Sequence, residues 1–447
     1  MSLDIAPTPP STPATAVPHR VTDPIRIPVE RYYATDFASL EKEKLWKRAW
    51  QLACRLEDIP RPGDYIEYEV AGESILLIRQ DGGSVRAFNN ACRHRATALG
   101  EGVGTFYGGQ IVCPYHGWRW NLDGDSSYVY ARTGFDAACL NPEALRLREV
   151  RTGEALGCVF VTLDRDAPPL EEALGDILSV LEPIGFDRMR VRWWRHVLLD
   201  ANWKMAQEAF MEAYHVMQAH PSLSMGAADE AYNLEATLGG FECFQNGSAH
   251  ALHPTGAGVP VEGMSVTDYF IQFNNALYVG TDAYATEREM FVQQGLMEAD
   301  IPDEQFPMAF LGALAEYAKG AGIPLPPPTM ATTGYAHIFP NMTVLPAYGN
   351  SIVYRVRPSG DDPEKCVFEV WALQIPPEGE EPLGRPELEG PIPQDNWPQI
   401  FKEDFSNVTK QQKGLHTQGM DELVLAGGYE AMIVNNHRRI DEFLAAP

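Results

Sequence analysis

The spacing of apolar and polar residues changes its period along the chain, and these changes predict where helices and strands lie. Residues 39–50 repeat apolar side chains at helical spacing behind Ser39, a candidate N-cap, and therefore predict a helix. From Pro62 onwards the period becomes two, which is typical of strands with one buried face. The strands predicted here cover residues 64–70, 74–79, 84–88 and 159–163. Together they indicate a small antiparallel β domain over residues 56–165.

The second half of the chain mixes helical and strand periods. Its predicted helices cover residues 169–184, 202–222 and the region from 406 onwards, and its predicted strands cover 189–199, 267–278, 337–344, 351–357 and 366–375. The last two strands flank a turn-rich loop and form a predicted hairpin. Strands grouped before a terminal helical section predict an α+β domain over residues 166–447, with an antiparallel sheet flanked by helices. The helical pattern within 280–329 is compatible with a lid over a pocket and equally with packed surface helices.

The N-terminal region and the bulk composition limit the class of protein. Residues 1–28 contain seven prolines, which predicts a flexible tail, and residues 29–55 are expected to carry a helix that packs on the larger domain. No run of eighteen apolar residues and no signal-peptide pattern is present, so no membrane attachment is expected. Seven scattered cysteines favour a reducing cytoplasm over a disulfide framework. A formal charge of −26 argues against nucleic acid as a partner.

A pair of mixed Cys/His motifs supplies the first candidate metal site. Cys92 and His94 are followed, after eighteen intervening residues, by Cys113 and His116. Four such side chains suit a tetrahedral zinc ion, and they equally suit a Rieske [2Fe–2S] cluster, in which two Cys hold one iron and two His the other. Finger-type zinc sites usually pair the cysteines in one knuckle and the histidines in the other. Because each knuckle here mixes the two types, the order favours a cluster held between the two loops.

A second candidate metal site lies in the segment 202–222, which predicts a helix up to Pro221. Glu208, Glu212 and His215 share one face of such a helix. His220 comes five residues after His215, so the helix must widen or end for both imidazoles to reach one metal. Two His and a carboxylate suit non-haem Fe(II). Glu212 lies one turn from His215 and is better placed to orient it, and the best candidate for a third ligand is Asp404.

Both motifs resemble those of the Rieske non-haem iron ring-hydroxylating oxygenases, in their large or alpha subunit. The resemblance rests on the stretch CRHRATALGEGVGTFYGGQIVCPYHGWRW, on the acid-x2-His-x4-His helix and on Glu-Asp-x2-Asn at 403–407, and it spans most of residues 40–440. It implies that His215, His220 and Asp404 bind iron. The chain departs from most members at Glu212, where Asp is usual. Glu is found in some members that oxidise N-methyl or quaternary ammonium substrates.

The resemblance also implies cofactors, partners and an assembly. It implies one [2Fe–2S] cluster, one mononuclear Fe(II), and a head-to-tail homotrimer in which Glu212 links His215 to His116 of the next chain. It leaves open an additional β subunit. Since the sequence shows no Gly-rich dinucleotide fingerprint in a strand–turn–helix setting, electrons must come from an external ferredoxin or flavin reductase.

The sequence bounds the substrate only by class. Phe210 and Met211 suggest an apolar pocket; Glu208 and His337 are further candidate pocket residues, although a solvent-facing acid and a strand core explain them equally well. We therefore expect hydroxylation of an aromatic or other hydrophobic compound with O2, with oxidative N- or O-demethylation as the alternative. Two other classes remain to be tested: a pure Rieske electron-transfer protein, and a zinc protein with a hydrolytic second site.

Overall fold

The computed structural model describes residues 17–226, 250–254, 260–330, 334–382 and 384–446. It has the mixed α+β architecture expected from the sequence, with two seven-stranded sheets and a three-stranded sheet among the described residues. The strands are β1 Arg26–Pro28, β2 Gln51–Arg55, β3 Asp64–Val70, β4 Glu73–Arg79, β5 Val85–Asn89, β6 Val103–Thr105, β7 Gln110–Val112, β8 Arg119–Asn121, β9 Ser126–Tyr128, β10 Glu149–Ala155, β11 Cys158–Thr162, β12 Arg190–Leu199, β13 Ala251–Pro254, β14 Gly334–Ile338, β15 Met342–Ala347, β16 Asn350–Pro358, β17 Cys366–Gln374, β18 Leu388–Glu389 and β19 Glu422–Val424.

Among the described residues, the five longest helices lie in the second half of the chain. They are α1 Thr35–Glu41, α2 Pro142–Leu145, α3 Leu170–Leu174, α4 Leu178–Leu181, α5 Trp203–Glu208, α6 Val216–Ala219, α7 Pro221–Ser224, α8 Val266–Thr281, α9 Glu287–Met297, α10 Phe306–Gly320, α11 Gln399–Gly414 and α12 Ala431–Ala445. A wide π-helical turn, Lys42–Trp46, extends α1. Ser39 lies inside this helix and bonds Thr35 with its hydroxyl, so its prediction as the N-cap was wrong.

The small domain is built on an antiparallel sheet in the order β2-β11-β10-β5-β4-β3-β6, with the three-stranded sheet β7-β8-β9 beside it. Strand β4 is buried on both faces, which explains its unbroken apolar run. Its residues Ile75 and Leu77 enter the main core, while Leu76 and Ile78 enter a second core that also contains the two motif cysteines. The metal-binding loops therefore rest on a packed layer of their own.

The large domain is built on the sheet β13-β14-β15-β16-β17-β12-β18, antiparallel except where β18 pairs in parallel with β12. The predicted hairpin of β16 and β17 is present. The single strand predicted over 337–344 is two strands, β14 and β15, separated by a short turn. The predicted strand 267–278 was wrong, since α8 covers it. Its aromatic and β-branched residues suggested a strand, but Ser265 caps the backbone N–H of Asp268, and apolar residues four apart then face the protein interior.

The N-terminal segment joins the two domains. Strand β1 pairs with β19 near the C-terminus and lies inside the range 1–28 predicted as a tail; residues 1–16 of that range lie outside the described residues. Helix α1 packs on the large domain as expected. Strand β2, which falls in the same predicted segment 29–55, instead pairs with β11 in the small domain.

A buried ion pair fixes helix α1 against helix α5. Lys204 Nζ lies 2.9 Å and 3.0 Å from the two carboxylate oxygens of Glu41, and both side chains are almost completely buried. Burial outweighs the attraction of Glu41 and lowers the pKa of Lys204. The segment before the small domain is thereby anchored to the helix that leads into the second metal motif.

We expect Glu41→Gln to destabilise the protein by about 3–5 kcal/mol, because it leaves the buried Lys204 ammonium without its counter-charge. Urea unfolding followed by circular dichroism measures this. Glu43→Gln is the matched control, because Glu43 pairs with Lys47 on the exposed face of the same helix and should cost less than about 1 kcal/mol. Equal losses in the two variants would contradict the role of the buried pair.

Candidate metal centres

The two Cys/His loops of the small domain have the same backbone geometry. In the first loop the N–H of Cys92 donates to the carbonyl of Thr97, and the N–H of Ala96 donates to the carbonyl of Cys92. In the second, Cys113 makes the equivalent bonds with Trp118 and Gly117. Ala96 and Gly117 occupy the same place in the two loops, and both have a left-handed backbone conformation. Each loop thus presents one Cys and one His in a matched way.

The four side chains of these loops converge. The rings of His94 and His116 lie 4.7 Å apart, and His94 stacks on Trp118 with an interplanar angle of 10°. Cys92 and Cys113 are buried next to each other, and burial raises the pKa of the Cys92 thiol to about 11 while backbone N–H groups bonded to its sulfur oppose the rise. The Nδ1 atom of His94 is buried without a partner in the described part of the chain. Two thiols, two imidazoles and an orphaned ring nitrogen fit a [2Fe–2S] cluster.

The second motif lies where the predicted helix 202–222 is interrupted. Helix α5 ends at Glu208, a short irregular stretch follows, and α6 and α7 form single turns on either side of His220. His220 has φ −119° and ψ 74°, an extended conformation imposed by the following Pro221, which begins α7. The break that the sequence required near Pro221 is present, and a second break before His215 was not predicted.

These breaks bring the two imidazoles onto one carboxylate. Nε2 of His220 lies 3.1 Å and Nε2 of His215 lies 3.5 Å from Oδ1 of Asp404, which projects from α11. One possible ligand atom from each of the three residues lies within 4.8 Å of the others. The donor set of two imidazoles and one carboxylate fits a non-haem Fe(II) ion with open positions.

Each imidazole is held by a second carboxylate through its other nitrogen. Nδ1 of His215 lies 2.5 Å from Glu212, which also accepts the backbone N–H of His215. Nδ1 of His220 lies 2.8 Å from Glu403. Such contacts fix the orientation of a ligand ring and direct Nε2 towards the metal. Glu212 therefore contacts both the ring and the backbone of His215.

The electrostatics of the triad favour a cation. Burial opposes protonation of His215, but the charge of Glu212 and the contact with Asp404 outweigh it and raise the pKa well above its usual value. The pKa of His220 is raised by Asp404 in the same way. Burial raises the pKa of Asp404, but its contacts with the two imidazoles outweigh burial and lower it. An environment that holds protons on two buried imidazoles also attracts a metal ion.

An apolar cavity of about 140 Å³ opens against the triad. Aromatic and aliphatic side chains form most of its described wall: Phe210, Val216, Leu223, Phe273, Leu277, Tyr284, Tyr335, Leu345, Ile352, Tyr354 and Ile400. His215, His220 and Asp404 complete the wall, and no Lys or Arg is among the described lining residues. Helix α8 contributes to this wall, whereas none of the described lining residues comes from α9 or α10, so these two pack outside it.

Only one of the four predicted pocket residues lines this cavity. Phe210 does so, whereas Met211 is buried in the core and is not among the lining residues. Glu208 does not reach this cavity: it bonds Tyr32 and His437 and lines a second cavity on the other side of His215 and Asp404. His337 was also wrong, since its strand turns it into the core, where Nδ1 meets Gln207 and burial lowers its pKa to about 3.

A second cavity, of about 310 Å³, shares the wall formed by His215 and Asp404. It is acidic, because Glu208, Glu212 and Glu430 also line it. Burial raises the pKa of Glu430 to about 7, and the negative charge of Glu212 and Glu208 adds to the rise. His215 and Asp404 therefore stand between an apolar cavity and a second cavity that contains three glutamates among aliphatic side chains.

The sequence did not reveal two residues of this site. Glu403 was noted only as part of a motif, and its role in holding His220 depends on how α11 packs. Tyr354 lies on β16, 50 residues before Asp404 in sequence, within a stretch that reads as ordinary strand core. Burial and the charge of Asp404 hold the pKa of Tyr354 well above its usual range, so it remains a phenol.

Comparison with known protein families assigns both halves of the chain. The model of the ring hydroxylating alpha subunit catalytic domain matches residues 186–446, and the model of the Rieske [2Fe-2S] domain matches residues 49–134. The chain belongs to the Rieske ring-hydroxylating oxygenase alpha subunits. In this family the Rieske domain binds a [2Fe–2S] cluster and the catalytic domain binds a mononuclear non-haem iron, which confirms the two cofactors expected from the sequence.

Relatives within the family act on different compounds. The large oxygenase component of the naphthalene 1,2-dioxygenase system of Pseudomonas putida is 31% identical over 62% of this chain and 56% of its own length. The carnitine monooxygenase oxygenase subunit of Escherichia coli K12 is 30% identical over 46% of this chain and 55% of that protein. The chain therefore spans just over half the length of these relatives.

Solved structures share the fold over almost the whole chain. A quaternary ammonium Rieske monooxygenase covers 94% of this chain and 97% of its own, with a TM-score of 0.65 and 18% identity. A naphthalene 1,2-dioxygenase with bound indole covers 94% and 92%, with a TM-score of 0.65 and 20% identity. Within the described residues of this oxygenase subunit, none of the helices has the length and apolar character needed to span a bilayer.

Replacing Glu403 with Ala should weaken binding of Fe(II) at the second site about 10- to 100-fold, because His220 loses the group that fixes its ring. Competition with a chelator followed by iron analysis measures the change. Gln399→Ala is the matched control, since Gln399 contacts Glu403 but neither imidazole. Unchanged affinity in Glu403→Ala would show that packing alone orients His220.

Proposed function

We propose that this chain is the terminal oxygenase that uses O2 and electrons from an external ferredoxin or flavin reductase to hydroxylate an aromatic or other hydrophobic small molecule. The observation that carries this proposal is the position of the triad in the wall of an apolar cavity. A substrate held in that cavity meets the open side of the metal site. The aromatic lining favours a flat apolar ring as the occupant.

The ligand assignment is part of the same proposal. Cys92, His94, Cys113 and His116 would hold the [2Fe–2S] cluster, and His215, His220 and Asp404 would hold the Fe(II). The matched loops support the first set, and the convergence of two imidazoles on one carboxylate supports the second. A zinc protein is less compatible with this arrangement, because the two cysteines and two histidines come from mixed knuckles and the second site belongs to an oxygenase family.

The side chains of this subunit position the reaction and exclude water from it. An Fe(II) held by His215, His220 and Asp404 would supply the chemistry with O2, and a cluster held by the two Cys/His loops would supply single electrons. Glu212 and Glu403 keep the Nε2 atoms of the two imidazoles directed at the metal. The apolar wall around Phe210 and Ile352 excludes water and holds the substrate beside the open face.

Oxidative demethylation is the second candidate. Aromatic rings at Phe210, Tyr284 and Tyr354 line the cavity, and such rings attract quaternary ammonium groups. Relatives include carnitine and glycine betaine monooxygenase subunits. Against a zwitterionic substrate, no Lys or Arg among the described lining residues could pair with its carboxylate. A pure electron-transfer role would leave the triad and its cavity without a use.

We further propose a head-to-tail homotrimer, in which the cluster loops of one chain meet the acidic cavity of the next. Exposed Arg95 and Arg119 flank the cluster loops, while Glu212 and Glu430 line the acidic cavity. Opposite charges on the two ends favour association of a heterologous, ring-closing kind. Glu212 would then touch His116 of the neighbouring copy as well as its own His215.

The domain limits and the cellular compartment are further parts of this proposal. We assign residues 56–165 to electron transfer and 166–447 to catalysis. The six described cysteines are free thiols, which supports a cytoplasmic location, and the strongly acidic chain would attract a basic reductase or ferredoxin.

Metal analysis tests the proposal directly. The purified chain should contain about three iron atoms and about two acid-labile sulfides and should be red-brown. His220→Ala should lose about one iron and keep the colour and the sulfide. Cys113→Ala should lose the colour and keep the second site. A colourless protein that contains zinc would refute the oxygenase function.

Glu212→Ala should keep both metals and lose coupled turnover, because the link between the two centres is removed. Rapid oxidation of the cluster in a single turnover of this variant would refute the linking role. Glu212→Asp is the milder matched variant. It shortens the side chain and should retain part of the turnover rate.

Mixed oligomers provide the control for electron transfer between copies. Cys113→Ala lacks the cluster and His220→Ala lacks the iron, so each alone should be inactive. Co-expressed in one oligomer, they should regain part of the activity if the cluster of one copy serves the iron of the next. Inactive mixtures would show that the two centres of one chain must act together.

A further inference from the structure

The hydroxyl group of Tyr354 lines the substrate cavity without a partner. Its ring is 3% exposed and packs against Phe210 with 4.2 Å between the ring centroids. The residue borders the same cavity as Asp404. Within the described part of the chain, its hydroxyl makes no hydrogen bond. Its oxygen atom is not fully enclosed by protein atoms. The hydroxyl is therefore buried, unpaired and open to the cavity.

Two other hydroxyl groups in the same wall are already satisfied. Tyr284 donates to the carbonyl of Pro346 at 3.0 Å, and Thr281 donates to the carbonyl of Leu277 at 2.7 Å. These two groups contribute to the fold and have no donor left for a ligand. Tyr354 differs from them in having its donor available to an occupant of the cavity.

An unpaired buried hydroxyl has an energetic cost that an occupant of the cavity can remove. Leaving such a group without a partner costs about 1–3 kcal/mol. A hydrocarbon leaves it unpaired, whereas a molecule with an acceptor oxygen restores the bond. Sites built in this way reject analogues that lack the matching polar atom.

We propose that Tyr354 determines specificity by donating a hydrogen bond to an oxygen atom on an aromatic substrate, such as an aryl ether or a phenol. The inference rests on the proposed function and narrows its substrate class. The cavity of about 140 Å³ is close to the size, about 150 Å³, of an engineered protein cavity that takes up benzene. The volume therefore suits a substrate with one aromatic ring.

Binding of two isosteric probes tests the proposal. Anisole and ethylbenzene have the same number and connectivity of heavy atoms, but only anisole has an acceptor oxygen. By titration calorimetry on the metal-replete protein, anisole should bind about tenfold more tightly, equivalent to about 1.4 kcal/mol. In Tyr354→Phe this ratio should fall to about one, mainly because anisole binds more weakly.

Tyr284→Phe is the matched control. It removes a hydroxyl from the same cavity wall, but one that is already bonded to Pro346, so the probe ratio should stay near tenfold. A ratio near one in the unmodified protein, or an unchanged ratio in Tyr354→Phe, would overturn the inference. So would an equal fall in both variants, tighter binding of choline than of anisole, or no binding of either aromatic probe.

Turnover separates this inference from the proposed function. With a surrogate reductase and O2, product is measured from both probes. Oxygenation of both with a probe ratio near one would overturn the role of Tyr354 and leave the oxygenase function standing. A tenfold ratio lost in Tyr354→Phe, with no product from either probe and full iron content, would support the binding role and count against hydroxylation of this class.

Discussion

The catalytic half of the protein depends on bringing two imidazoles, five residues apart, onto one carboxylate. On a regular helix five residues turn by about 140° relative to one another, which would point the rings in different directions. The chain therefore leaves helical geometry after Glu208 and becomes extended at His220. Glu212 and Glu403 fix the orientation of the two rings through contacts with their Nδ1 atoms. The irregular backbone and the two outer carboxylates are parts of one arrangement.

This arrangement also separates two environments. His215 and Asp404 belong to the walls of both the apolar and the acidic cavity. Apolar surroundings on one side favour an uncharged substrate, and carboxylates on the other side favour contact with cationic groups. The metal site thus lies between the two cavities. One cavity suits an uncharged substrate, and the other suits a cationic group.

The sequence predicted features that depend on local chemistry. The mixed Cys/His knuckles and the helix break near Pro221 follow from ligand type and backbone restriction, and both are present in the structure. The alternation of polar and apolar residues in β3 and the apolar run of β4 predicted the small β domain. Residues 267–278 were misread because aromatic and β-branched side chains favour strands in isolation, while packing and the cap at Ser265 decide for a helix. Tyr354 and Glu403 could not be assigned, since their roles depend on contacts between distant segments.

The pairing of β2 with β11 has a consequence for how the protein is made. The chain enters and leaves the small domain at adjacent strands, so this domain is inserted into a larger unit whose two ends also meet. Arg31 and Asp441, 410 residues apart, form a buried contact that cannot exist until Asp441 has been synthesised. The inserted domain emerges from the ribosome before this contact can form, so it can fold first. The catalytic domain is completed later, when α12 is available to pack against the N-terminal segment.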